Sequence, residues 1–353
     1  KNSYFHDNQG GILASDNANS DIVITNSEFA RNGNTPASAA NMHNLYINHV
    51  RSLTFTNNYS HSGLIGHLLK SRAYKNVIAY NRLTDESDAT ASYEIDIPNG
   101  GETYIIGNLI EQTQNSQNPN IIAYNAEGVN GQNGGPNPIQ KLYIVNNTIV
   151  NNRSSGTFIW VSGTPSDLKI DNNIFAGPGT PVSGATLGSG NVVTTSPGFV
   201  NSGGFDYRLT ASSPAIDKGV AQGSATAATM QYGHPLSSQA RTTSGTSVDA
   251  GAYEYSGTVT PPPTATPTVT LAANPTAITS GQSSTLTWSS TNATSCTSTG
   301  FTASGTSGST TVSPTATASY AISCTGAGGT ATANASVTVS TVTPPSTKFI
   351  IGD

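Results

Sequence analysis

Charge is scarce in this sequence. Of 353 residues, only 14 are Lys or Arg and 19 are Asp or Glu, giving a net charge of −5 with no clustered basic stripe. A nucleic-acid partner is therefore not expected, because phosphate recognition draws on gathered Lys and Arg. No apolar run approaches the ~20 residues a spanning helix requires, so no membrane span is expected either. Methionine and tryptophan occur twice each, and cysteine only at Cys296 and Cys324. One disulfide between these cysteines, in an oxidising extracellular or cell-surface setting, is the expectation; two free buried thiols are the alternative. What the chain has in abundance is Gly, Ser, Thr and Asn, which fits an all-β, turn-rich protein better than a helical one. The length allows two or three domains.

A repeat organises the first half. A short β-rich run ending in Asn, followed by another apolar residue, recurs as "NSYF", "IVITNSEF", "LTFTNNY", "NVIAYNRL", "TYIIGNLI", "LYIVNNTIV" and "LKIDNNIF". The anchors are Asn2, Asn26, Asn57, Asn81, Asn108, Asn146 and Asn172, with successive steps of 24, 31, 24, 27, 38 and 26. A base period near 24 with insertions of varied length predicts a right-handed parallel β-helix, in which each turn is three short strands and stacked turns share one core. Asn tolerates the left-handed backbone of a tight turn, and stacked amides hydrogen-bond along the coil. A second apolar strand follows each anchor, at 10–15, 43–48, 67–72, 93–98, 120–124 and 157–161, predicting one parallel sheet along the coil. The chain opens at Lys1 on "NSYF", in the middle of a repeat, which suggests a mature or proteolysed piece with further turns upstream.

From about residue 176 the repeat degrades. Residues 256–267 read as an extended Pro/Thr linker. Residues 268–341 show short alternating strands around both cysteines, a small β-sandwich, and 342–353 read as a second linker entering a further domain.

One stretch concentrates cations: "GHLLKSRAYKNVIAYN", Gly66 to Asn81. By strand alternation, inward Leu69 and Ser71 leave Lys70 and Arg72 outward. In the next turn, inward Tyr93, Ile95 and Ile97 leave Glu94 and Asp96 outward, about 4.8 Å away. Asn44, Tyr46 and Asn48 one turn earlier, and Tyr124 and Trp160 later, extend the strip. Three chemistries suit it. Lys70 could remove a proton beside a uronate carboxylate held by Arg72. Glu94 and Asp96 could bind Ca²⁺, or act as acid and base of a glycoside hydrolase. Tyr46, His67, Tyr124 and Trp160 would contact the sugar; His61 is a weaker candidate than His67. Against all of these stands a plain ladder of cross-strand charge pairs. "IPNGGE" is a turn, with Gly100 and Gly101 free to take positive φ.

The run from "GHLLKSRA" through "YEIDIPNGGETYIIGN" resembles bacterial right-handed parallel β-helix repeat proteins of the pectate-lyase-like kind, over residues 1–255. "SPGFVNSGGFDYRLTASSPAIDKG" with "DAGAYEY" resembles the closing segment of such secreted proteins. The cysteine-bearing region resembles bacterial immunoglobulin-like modules, although Trp288 precedes both cysteines rather than lying between them. The resemblance implies a secreted or surface protein that recognises an extracellular polysaccharide, with eliminative cleavage through Lys70 and Arg72 as the enzymatic form of that expectation. Alginate and chondroitin lyases of this shape take their Lys and Arg from separate turns, whereas here the two share one strand. Neither the paired aspartates nor the Gly-His-Gly element of polygalacturonase-type hydrolases is present. The rival expectation is a non-catalytic rod for adhesion or self-association.

Overall fold

From Tyr4 to Thr194 the chain visits three sheets in rotation, and each circuit adds one strand to each sheet until the last, which skips the third. The computed structural model describes residues 1–33, 42–86, 89–257, 266–326 and 328–341. Sheet 1 has eight strands, from Tyr4–His6 to Val192–Thr194; sheet 2 has seven, from Ile12–Ala14 to Thr180–Ser183; sheet 3 has six, from Asn17–Thr25 to Asp167–Asp171. Every pairing within them is parallel, so this all-β stack fits a parallel β-helix.

The reason lies in columns of like residues. Leu45, Leu69, Ile95, Ile122 and Ile159 line up in sheet 2, and Leu83, Ile110, Ile149 and Phe175 line up on the inner side of sheet 1, with Phe29 two turns before Leu83 across Ser60. A single turn has no second face to bury these side chains against; stacked turns supply it.

The asparagine turns divide their two tasks between adjacent positions. The left-handed residue is Asn2, Asn26, Asn57, Tyr80, Gly107, Asn146 or Asn172. The residue after it carries the buried ladder. Asn58 Nδ2 donates to Asn81 Oδ1 (3.1 Å), Asn81 to Asn108 (2.9 Å), Asn108 to Asn147 (2.9 Å), Asn147 to Asn173 (3.0 Å) and Asn173 to Asn191 (3.1 Å). Such amides would be costly inside if unpaired. Asn81 and Asn108 thus belong to the ladder, and Tyr80 and Gly107 take the strained position instead.

The closing segment covers a flank. Tyr207, Leu209, Ala215, Tyr232, Ala250 and Ala252 pack with Leu109, Val150, Ile174 and Ala176, which belong to sheet 1. Arg241 bonds Glu254 (2.8 Å) and the carbonyls of Asp249 and Gly251 (2.9 Å each), all but sealed from solvent. Gly251, at φ 90°, sits so close to Ile174 that a Cβ would lie 2.5 Å from its Cδ1.

The chain divides into two compact units, Lys1–Val259 and Thr260–Asp353. The second contains a three-stranded antiparallel sheet (Thr268–Asn274, Ser284–Thr291, Ser307–Val312) and a four-stranded sheet (Ala277–Thr279, Gly329–Ser340, Ala318–Gly326, Ser295–Thr299). Leu286, Trp288, Tyr320, Ile322 and Val337 are buried. Cys296 and Cys324 form the expected disulfide, with S–S 2.00 Å. They stand directly opposite each other on neighbouring strands of one sheet, unlike the inter-sheet bridge of antibody domains. Most of the expected Pro/Thr linker, and the expected second linker at 342–353, lie outside the described residues.

Candidate functional site

The outer column of sheet 2 reads Leu13, Tyr46, Lys70, Asp96, Ala123, Trp160 and Ser183. Sequence alternation therefore brings Tyr46, Lys70, Asp96 and Trp160 onto one face, with Ala123 separating Trp160 from the charges. Tyr46 stacks beneath both cations, with Lys70 Nζ 5.4 Å and Arg72 Cζ 5.7 Å from its ring centroid.

Two expected members stand elsewhere. Tyr124 falls in the column of Ile97 and Val161, is fully buried in the core, and its hydroxyl donates to the Gly101 carbonyl at 2.8 Å. The expectation missed because the segment 120–124 enters the sheet one residue out of phase with the assumed strip. Glu94 is also fully buried, in line with Leu68, Ile121 and Phe158 of the core. Its strand is only Ile95–Ile97, so Glu94 lies in the corner before it, where alternation no longer holds. Desolvation, then Asp85 and Glu111, drives its pKa well above the usual carboxylate value, and neither oxygen has a hydrogen-bond partner among the described residues. Glu94 and Asp96 therefore do not face one another as a Ca²⁺ pair or as an acid and base pair. No group of three or more His, Cys, Asp or Glu suited to a metal ion occurs among the described residues. Asn44 is likewise inside, bonded to Ser60 and the His61 carbonyl.

What completes the cluster comes from the insertion after sheet 2's strand Asn120–Tyr124. Glu127 accepts from Lys70 Nζ at 2.9 Å through one oxygen and from Arg72 Nη2 at 2.7 Å through the other. Lys70 also reaches Asp96 Oδ2 at 3.2 Å. Arg72 spends further donors on the Tyr46 hydroxyl (2.9 Å) and Asn99 Oδ1. The insertion is pinned from below. Glu127 and Gly128 N–H donate to the Pro98 carbonyl (2.9 and 2.8 Å), Asn99 Nδ2 to Gly135 (2.7 Å) and Asn137 Nδ2 to Gly100 (2.9 Å). The "IPNGGE" turn is the socket for this insertion; Gly100 and Gly101 have φ 64° and 125°.

Burial sets the electrostatics. It disfavours the Lys70 ammonium, but Asp96 and Glu127 outweigh it and hold the pKa above the usual lysine value. Desolvation beats the attraction of Lys70 at Asp96, whose pKa is pushed up to about 6. At Glu127 the bonds from Lys70 and Arg72 more than reverse the effect of burial. His67 stacks on His43 at 4.5 Å and faces Asp96 Oδ2 at 3.5 Å; burial, His43 and Lys70 keep it neutral, with Nδ1 accepting from the Tyr93 N–H.

Lys70, Arg72, Asp96 and Tyr46 are each under one-tenth exposed. A small recess of about 270 Å³ remains beside Arg72, lined by Asp16, Asn48, His49 and Asn133. Trp160 is half-buried. His61 lies on sheet 1, where its Nε2 meets Glu28 at 3.0 Å and its ring stacks on Tyr59 at 3.9 Å. Of that second polar cluster, which includes Arg82 Nη2 on Glu86 at 3.0 Å, the sequence reading had singled out His61 alone. Glu127 also escaped it, although it is the single charged residue in the insertion and so offered a signal. Comparison of the chain with family models, with curated proteins and with solved structures found no match.

Proposed function

We propose that this chain is a non-catalytic extracellular rod: a right-handed coil of the pectate-lyase-like kind, followed by an immunoglobulin-like spacer, within a surface protein. The observation that carries this reading is the double engagement of Glu127 by Lys70 and Arg72. A lysine that abstracts a proton needs a pKa lowered toward the working pH. Asp96 and Glu127 act on Lys70 in the opposite sense. A substrate carboxylate would also have to displace Glu127 from both cations. In the rod, the cluster is a clamp that fastens the insertion across three turns of sheet 2. The disulfide supports an oxidising location.

A second reading, recognition of an acidic polysaccharide without cleavage, is favoured by the recess beside Arg72 and by half-buried Trp160 further along the face. One experiment separates these readings from a lyase. The protein is mixed with a panel of polyuronates while the ultraviolet absorbance of unsaturated ends and the binding isotherm are followed. The rod gives neither turnover nor binding. Binding without turnover, strengthened in Glu127→Ala and lost in Arg72→Ala, supports recognition. Turnover abolished by Lys70→Ala would overturn the proposal.

A further inference from the structure

The described part of the second unit is electrically silent. From Ser256 to Thr347 there is no Asp, Glu, Lys, Arg or His. Exposed strand edges offer unpaired N–H and C=O groups, and proteins ordinarily guard them with lysine, proline, bulges or very short strands. Two of the four edges here have such a guard, and a third is tied back. Thr268–Asn274 is bracketed by Pro267 and Pro275, and Ala277–Thr279 is three residues long. Ser295–Thr299 is short, is tied to its neighbour through Cys296, and its Ser298 hydroxyl closes back on the Phe301 carbonyl at 2.7 Å. The fourth, Ser307–Val312, forms the edge beyond Ser284–Thr291 and has six residues with no proline and no charge. Its side chains alternate strictly: Ser307, Ser309 and Thr311 are exposed, while Gly308, Thr310 and Val312 are half-buried.

We propose that Ser307–Val312 pairs antiparallel with the same strand of a second copy, making this unit the self-association element of the chain. An antiparallel self-pair that keeps both half-buried rows on the covered side must place like-facing residues opposite one another. That condition puts the two-fold axis on a residue rather than between two; of the two most central residues, Ser309 is the exposed one, and with the axis there it faces its own counterpart, with Ser307 opposite Thr311. The three-stranded sheets of two copies merge into one of six strands, and a continuous field of hydroxyls covers its outer face. No side chain between Ser256 and Thr347 carries a charge that would repel a second copy, whatever the pH. The inference is independent of the rod and polysaccharide readings, since it uses no residue of the solenoid.

Sedimentation velocity of the full chain across a concentration series tests it. Expected is a dimer whose population grows with concentration and changes little with salt or pH. Ser309→Lys and Ser309→Glu should each be monomeric, since like charges would meet across the axis, and an equimolar mixture of the two should recover the dimer. Thr287→Lys, on the same exposed face but on the central strand, should associate like the parent chain. A parent chain that stays monomeric throughout overturns the proposal, as does a dimer that survives in both Ser309 variants. Loss of association in Thr287→Lys as well would also overturn it, because the edge would then not be the determinant.

Discussion

The solenoid holds every Asp, Glu, Lys, Arg and His of the chain except Lys348 and Asp353, and it buries many of them; the C-terminal unit presents exposed Ser and Thr on alternate strand positions instead. The solenoid's interior is threaded by side-chain amides, whereas the smaller unit relies on a compact apolar centre and one disulfide. A stack of turns repeats the same neighbours, so a polar group that is satisfied once is satisfied along the whole column. A small unit of two short sheets has no such repetition and gains more from a covalent tie. Polar interiors are specific but vulnerable, and the comparison can be broken from either side.

The largest effect should come from the ladder. Asn108→Ala removes the partners of the Asn81 amide and of the Ile78 carbonyl and Asn147, leaving several buried groups unpaired. A loss of about 4 kcal/mol is expected in the solenoid's unfolding transition, with the second transition unmoved, as calorimetry would show. The mirror-image experiment replaces both Cys296 and Cys324 with serine. Opening a bridge with a sequence separation of 28 should cost about 3.5 kcal/mol in the smaller unit's transition alone.

A subtler contrast is pH. The folded pKa of Glu94 is raised by burial and by Asp85 and Glu111, only partly offset by Arg153. An acid whose folded pKa exceeds its unfolded value favours the folded state at low pH, and that advantage is lost as pH rises through and beyond the unfolded value. The Glu94→Gln variant should therefore match the parent chain near pH 4 and overtake it progressively toward neutrality in thermal melts. The transition of the smaller unit, uncharged from Thr260 to Thr347, should stay level over the same range. The smallest effect is expected from Thr287→Lys, a surface change within about 0.5 kcal/mol of neutral in chemical denaturation.

The coil was legible because its signal is periodic. Steps between asparagines and alternate apolar residues placed six of the seven strands of sheet 2 within an expected segment, Thr180–Ser183 lying beyond the last of them. Half of the charge cluster was legible for the same reason: Lys70 and Asp96 are neighbours in register. The rest failed where periodicity stops. Glu94 precedes a three-residue strand, so alternation carried it to the wrong side of the wall. Tyr124 was lost to a one-residue shift of phase. Glu127 reaches Lys70 and Arg72 across 57 and 55 residues, a distance over which no local pattern speaks. The pairing of His61 with Glu28 joins turns 33 residues apart and was equally hidden.

The amide ladder also sets what this architecture can become. Its successive steps span 23, 27, 39, 26 and 18 residues, yet the donor–acceptor distances stay between 2.9 and 3.1 Å. The spine is therefore indifferent to how much chain is spooled between one amide and the next. Loops can lengthen, shorten or be exchanged at the corners while the coil keeps its pitch. That makes the fold a natural display frame, on which libraries of grafted segments could be screened for new recognition without redesigning the interior.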